Sequence, residues 1–155
     1  MRFRLATPSD IPAIIALFQH TIMAISEQTY ADEQKLAWAS RGIDVARWQQ
    51  RITSQYLLVA EVEDIIGFGS TKKSGYLDTL YVHPHYQRRG VAQQLLDRLE
   101  AWVVLEQIDL ITTEASTVAR PFFERNRYGV VKQQEKRINE ILLTNYRMEK
   151  SLTHE

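Results

Sequence analysis

The chain reads as a mixed α/β protein with a mostly antiparallel central sheet of about six to seven strands and helices on both faces. Three observations predict this. Short β-branched and aromatic runs alternate with longer runs of helical period. One helical run stands between two strand-like runs, and a strand–helix–strand unit implies a local parallel pair. The strand-like runs on either side of that unit come as hairpins, which are antiparallel.

Each element follows from its local pattern. Met1 to Ala6 alternates, with Phe3 and Leu5 on one side, and reads as a first strand. Thr7-Pro8-Ser9-Asp10 is a turn with helix-capping residues, so a helix starts near Asp10. Its positions Ile11, Ile14, Ile15, Phe18, Ile22 and Ile25 share one face and carry it to about Ile25. That stripe, with Asp10 and two prolines interrupting its approach, argues against a signal peptide after Arg2 and Arg4. Tyr30-Ala31-Asp32 gives a turn and cap for a second helix through Trp38, and Asp44 to Ile52 is a third helical stretch. Tyr56 to Val62 is apolar and β-branched, Glu63-Asp64 turns the chain, and Ile65 to Ser70 returns as a hairpin partner. Ser74-Gly75 leads into the strand Tyr76 to Val82. After Gly90, the residues Val91, Leu95, Leu99 and Trp102 share a helix face. Ile108 to Thr113 is the next strand, and Ser116 caps a short helix to about Asn126. Val130 to Gln134 and Ile141 to Met148 are the last strands, with Asn139-Glu140 near the turn between them. No repeat, low-complexity tract or linker interrupts the 155 residues, so one domain over 1–155 is expected.

Composition narrows the function. Hydrophobic residues make up 45% and charged residues 25%, the balance of a globular protein. The 19 basic and 19 acidic side chains cancel, which argues against nucleic acid or an anionic membrane as partner. Lys72-Lys73 and Gln87-Arg88-Arg89 are scattered basic residues, not a patch. No apolar run approaches the ~18 residues of a membrane span. The absence of cysteine removes disulfides, thiolate metal sites and a cysteine nucleophile, and weakly favours a reducing, cytoplasmic setting. His20, His83, His85 and His154 show no convincing ligand spacing beyond His83-x-His85, so no metal is expected. A Gly-x-Ser-x-Gly nucleophile elbow is also missing.

The informative segment is Tyr81-Val82-His83-Pro84-His85-Tyr86-Gln87-Arg88-Arg89-Gly90-Val91-Ala92. A strand ends at a proline, a donor-rich loop follows, and a helix opens at Gly90. Backbone N–H groups and a positive helix N-terminus then converge on one point, which suits a pyrophosphate. Glycine there lets phosphates approach the backbone without a Cβ in the way. The spacing Gln-x-x-Gly-x-Ala is neither the dinucleotide fingerprint nor a P-loop. It resembles the acetyl-CoA pyrophosphate loop of the GCN5-related N-acetyltransferase (GNAT) superfamily, and the order of elements agrees over most of the chain.

That resemblance implies a GNAT fold in which two parallel strands splay apart and acetyl-CoA, the co-substrate, lies in the gap. Carried over, backbone groups of Leu80 and Val82, with Tyr81 between them, hold the pantetheine arm. Gln87 and the amides of Arg88, Arg89, Gly90, Val91 and Ala92 hold the pyrophosphate, with side-chain charge from Arg88 or Arg89. Glu114 to Tyr128 is similar to the family's Asn-x-x-Ala-x-x-Phe-Tyr-Glu-Lys-x-Gly-Phe segment. Ser116 falls at the Asn, Ala119 at the Ala, Phe122-Phe123 at Phe-Tyr and Arg127-Tyr128 at Gly-Phe. Phe123 is thus placed against the cofactor, but it stands where the family's tyrosine protonates the departing thiolate and has no proton to give.

An attacking amine must lose a proton, and a thiolate gains from receiving one. Asp78, two residues before Leu80 in the central strand, is the leading base candidate. Ser116 or a tyrosine, Tyr128 or Tyr146, is the candidate acid. His83, His85 and His20 are lesser acid–base candidates. Tyr30, Trp38 and Trp48 fall where the family builds its acceptor wall. The expected reaction is acetyl transfer from acetyl-CoA to a primary amine, on a small molecule or a peptide, by direct attack in a ternary complex. The alternative is a non-catalytic acyl-CoA-binding module, for which Phe123 speaks. The last strands offer a surface for a homodimer.

Overall fold

The computed structural model describes residues 1–152; His154 lies outside the described residues. Seven strands form one sheet: β1 (Arg2–Leu5), β2 (Gln55–Glu61), β3 (Ile65–Lys72), β4 (Tyr76–Val82), β5 (Leu110–Ser116), β6 (Gly129–Ile138) and β7 (Ile141–Ser151). Their order across the sheet is β1-β2-β3-β4-β5-β7-β6. Every neighbouring pair is antiparallel except β4 and β5. The mixed sheet expected from the sequence is the one observed.

Five helices cover it: α1 (Ile11–Met23), α2 (Asp32–Ala39), α3 (Val45–Ser54), α4 (Val91–Leu105) and α5 (Arg120–Arg125). On one face α4 buries Val91, Leu95, Leu96, Leu99 and Val103 against Leu58, Leu77, Val82 and Ile111. On the other, Ile14, Phe18 and Ile22 of α1 and Trp48 of α3 pack on Leu57, Val59 and Phe68. A smaller third cluster joins Tyr30 and Ala37 to Ile138 and Leu143, so the β6–β7 hairpin is packed on α2.

The start of α1 is tied to the sheet by charge. Arg4 on β1 donates to both oxygens of Asp10, at 2.8 and 2.9 Å, and also to Glu61 on β2. Those Arg4 bonds, with one from the Thr7 N–H, hold the Asp10 carboxyl down at about 2 despite its burial.

Several boundaries differ from the sequence reading, each for a local reason. Helix α1 ends at Met23, and Ile25 continues its apolar face from a turn. The strand after α4 begins at Leu110, because Gln107 adopts a left-handed φ of 64° that ends the helix. Ser116 is the last residue of β5 and lies ahead of helix α5, although its Oγ still accepts from the Ala119 N–H at 3.1 Å. Strand β6 runs ten residues because it is an edge strand whose exposed side chains need not alternate. Asn139 and Glu140, with φ of 50° and 65°, form the two-residue turn between Ile138 and Ile141.

Candidate active site

The site begins where β4 and β5 stop pairing. Only Tyr76 with Thr112 and Leu77 with Thr113 are in register. The Thr113 hydroxyl then donates to the Leu77 carbonyl at 2.9 Å and closes the ladder. Beyond it the two strands diverge, each held on its outer side by an antiparallel neighbour, β3 for one and β7 for the other. A cleft of about 850 Å³ opens in the fork, within the usual range for a small-molecule site.

The backbone of β4 is oriented for this gap. His83 N–H donates to the Ile66 carbonyl of β3, and Tyr81 pairs with Phe68 and Val82 with Gly67. By the alternation of an antiparallel ladder, N–H and C=O of Leu80 and Val82 face away from β3, toward the fork. The Val82 carbonyl accepts from Gln87 Nε2 at 2.9 Å, which ties the loop back to the strand. A β-bulge interrupts the β3–β4 ladder: Ser70 pairs with Thr79 and Thr71 with Leu77, so Asp78 is the extra residue. Bulges re-aim side chains. Here the bulge turns Asp78 to the α1–α3 face, where Arg51 Nε donates to its Oδ2 at 3.0 Å and Gln55 Nε2 to the same oxygen at 2.9 Å.

The far end of the cleft is the loop before α4. Arg88 and Gly90 both have left-handed φ, 63° and 82°, a conformation that gathers successive N–H groups into an anion-binding concavity. The first helical bond of α4 runs from Gln94 N–H to the Gly90 carbonyl, so the N–H groups before it have no acceptor along the helix. A Cβ built on Gly90 would meet nothing within 4 Å. Gln87, Arg88, Gly90 and Ala92 line the cleft; Arg89 instead covers the Tyr86 ring, and the Val91 side chain is buried in the core.

The expected acid–base residues separate. Asp78 and Ser116 line the cleft. Tyr128 does not: it is buried on the α4 face, where its hydroxyl donates to Glu100 Oε2 at 2.7 Å. Burial, then the Glu100 charge, pushes its phenol far above the ordinary value. Tyr146 packs at that same face, under Arg120. Phe123 is buried and lines the cleft beside Phe122. Of the aromatics considered for the acceptor wall, Trp38 lines the cleft, whereas Trp48 is buried and donates to the Gly42 carbonyl. Tyr30 is a structural bridge whose hydroxyl donates to the Thr144 carbonyl and accepts from the Thr117 N–H. The His83 ring lies 4.8 Å from His20 and 4.9 Å from His85. Desolvation and then those two neighbours lower its pKa, in keeping with an unprotonated Nδ1 that accepts from the His85 N–H. No group of three or more His, Cys, Asp or Glu among the described residues is placed to hold a metal ion.

Glu114 is a site residue that the sequence reading passed over. It follows Thr113 on β5 as Asp78 follows Leu77 on β4, and it lines the same cleft. Its carboxylate accepts from Tyr76, Gln134, Lys136 and Asn145. Burial, then the charges of Glu114 and Asp78, holds the Tyr76 phenol protonated. The available signal was a lone acid in an otherwise apolar and threonine-rich strand. Tyr81 also lines the cleft, and its ring packs among Phe18, Trp38 and Phe68. Burial pushes its phenol up to about 12.

A seven-stranded sheet that forks at one parallel pair, with a helix N-terminus at the mouth of the fork, is the architecture of an acyl-group transferase of the GNAT type. Comparison with known proteins agrees. Residues 26–150 match the acetyltransferase (GNAT) domain family. The chain is 34% identical over 142 residues to the uncharacterized N-acetyltransferase YafP of Escherichia coli (strain K12), covering 91% of this chain and 89% of that one. It is 34% identical, with a TM-score of 0.93, to the crystal structure of a GCN5-related N-acetyltransferase from Rhodopseudomonas palustris, over 97% of this chain and 95% of the other. The fold is also that of the PaiA N-acetyltransferase of Thermoplasma acidophilum, solved in complex with coenzyme A, at 18% identity and TM-score 0.82, covering 97% and 98% of the two chains. This chain belongs to the GNAT family of acetyltransferases.

Proposed function

We propose that the protein transfers the acetyl group of acetyl-CoA to a primary amine by direct attack, with the thioester in the β4–β5 fork and the pyrophosphate on the Arg88–Ala92 loop. One observation carries this reading: the fork opens after two residue pairs and leads to a helix N-terminus with open space at Gly90. The coenzyme A bound by the PaiA relative supports it. Leu80 offers a free N–H and C=O to the pantetheine amides. The Val82 N–H faces the gap and is available to polarise the thioester carbonyl.

Asp78 acts as the base. Both of its hydrogen bonds fall on Oδ2, which leaves Oδ1 for the amine proton, directly or through one water. The amine lone pair forms the C–N bond as the C–S bond breaks, and sulfur leaves with the electron pair. With Phe123 unable to donate, Ser116 is our choice among the hydroxyls lining this cleft to relay a proton to the thiolate. A thiol of cysteine-like pKa, about 8.5, leaves tolerably without help.

Calorimetric titration with acetyl-CoA, with ATP as the control, tests the reading. Saturable binding of acetyl-CoA alone is expected, and Gly90→Glu should abolish it while the circular dichroism spectrum is kept. Equal binding by Gly90→Glu, or none by the wild type, would overturn the cofactor assignment.

A further inference from the structure

The cleft is electrostatically divided. Four charged side chains line it among the described residues: Arg88 and Arg125 near the α4 N-terminus, Asp78 and Glu114 at the fork. Gln93 in the first turn of α4 donates to Asn126, which brings the end of α5 at Arg125 beside that helix start. The two carboxylates occupy the first unpaired positions of facing strands. Their balancing cations, Arg51 and Lys136, approach from α3 and β6 and do not line the cleft. The remaining acceptor side is apolar or neutral, with Ile22, Ile25, Trp38 and Tyr81 as its wall.

The same side is backed by packed structure. Ile25 and Trp38 pack on the Tyr30–Ile138–Leu143 cluster that joins α2 to the β6–β7 hairpin. Gln34 Nε2 donates to the Leu142 carbonyl at 2.8 Å and Tyr30 to the Thr144 carbonyl at 2.8 Å. This strap backs the apolar wall at Ile25 and Trp38.

We infer that the acceptor is a free small monoamine, cationic at neutral pH, with an alkyl or arylalkyl body and no carboxylate. Asp78 and Glu114 attract the ammonium, Trp38 and Tyr81 supply aromatic rings beside it, and the isoleucines take its body. A carboxylate on the neighbouring carbon would meet two acids, with the lining cations Arg88 and Arg125 at the cofactor end, and like charges placed together across an interface are strongly disfavoured. The bound ammonium gives one proton to Asp78 and becomes the attacking amine. The second nitrogen proton leaves with bond formation and goes to the thiolate. This inference rests on the acetyltransferase reading above.

Matched pairs test it. The wild-type protein is assayed by thiol release with phenethylamine against phenylalanine, isopentylamine against leucine, and a short peptide with a free N-terminus. Each bare amine should exceed its amino acid and the peptide at least about tenfold in kcat/KM, a factor that about 1.4 kcal/mol of discrimination supplies. Glu114→Gln should narrow that ratio severalfold. Equal or better use of the amino acids or the peptide overturns the inference. So does silence toward every bare amine while acetyl-CoA still binds, a result that leaves the cofactor assignment standing. Failure to bind acetyl-CoA overturns both.

Discussion

The two arms of the fork carry an acid at the same step, and the two acids are held differently. Asp78 on β4 takes both of its hydrogen bonds on one oxygen, from Arg51 and Gln55. Glu114 on β5 is engaged on both oxygens: Oε1 by Tyr76 and Lys136, Oε2 by Gln134 and Asn145. A carboxylate with every lone pair occupied is a poor proton acceptor, because taking a proton means breaking a charge-assisted bond. A carboxylate fixed on one side and open on the other is oriented and still available. The difference favours the β4 arm for the proposed proton transfer and makes Glu114 a brace that ties β5 to the β6–β7 hairpin.

The largest expected effect breaks the comparison at Asp78. Asp78→Asn should lower kcat by about 10²–10⁴, the usual worth of a general base, and leave the acetyl-CoA dissociation constant within about twofold. Burst-free steady-state kinetics with calorimetry on the same sample reads both. If kcat fell less than fivefold, the proton would go elsewhere and the two arms would be equivalent. A smaller effect sharpens the comparison. Arg51→Met or Gln55→Leu releases Oδ2 and lets the carboxylate swing, which should cost about tenfold to 10² in kcat through lost alignment. Restoring a donor with Gln55→Asn should recover part of it. A purely structural role for Arg51 and Gln55 would instead show as a fall in melting temperature with kcat intact.

The sequence exposes the two arms unequally. The β4 arm is continuous with a recognisable loop, so its strand and Gly90 are visible in order along the chain. Helix α4 is equally legible, since its apolar period maps onto residues that are all fully buried: Leu95, Leu96, Leu99 and Val103. What makes Asp78 a one-sided carboxylate is hidden, because its partners lie 27 and 23 residues away on α3 and the start of β2. The bulge that aims it is a mismatch between two strands and has no signature in either alone. The β5 arm is harder still. Glu114 gets its partners from three other strands, Tyr76 on β4, Gln134 and Lys136 on β6 and Asn145 on β7, and the strand read over Val130 to Gln134 stops short of Lys136. Tyr128 differs for the opposite reason: in the sequence it is a candidate stand-in for the acid missing at Phe123, while the structure engages its hydroxyl with Glu100, which also pairs with Lys150.

The smallest effect tests the brace. Burial pushes the Glu114 carboxyl up, but bonds and charge from Lys136, with the Gln134 and Asn145 donors, more than offset it and hold the group below its ordinary 4.5. A depressed folded-state value means that the carboxylate adds stability above about pH 4.5 and loses it as pH falls through the folded value. Glu114→Gln keeps the shape and removes that component. Lys136 is partly exposed, so the loss at neutral pH should be only about 1 kcal/mol, or roughly 2–4 °C in Tm for a chain of this size. The gap between wild type and Glu114→Gln should then close on acidification below pH 4.5, as the wild-type carboxyl protonates. Melting curves at several pH values between neutral and acid read it directly. A gap that stayed constant or widened would mean that Glu114 is not an ionised brace, and the contrast between the two arms would have to rest on geometry alone.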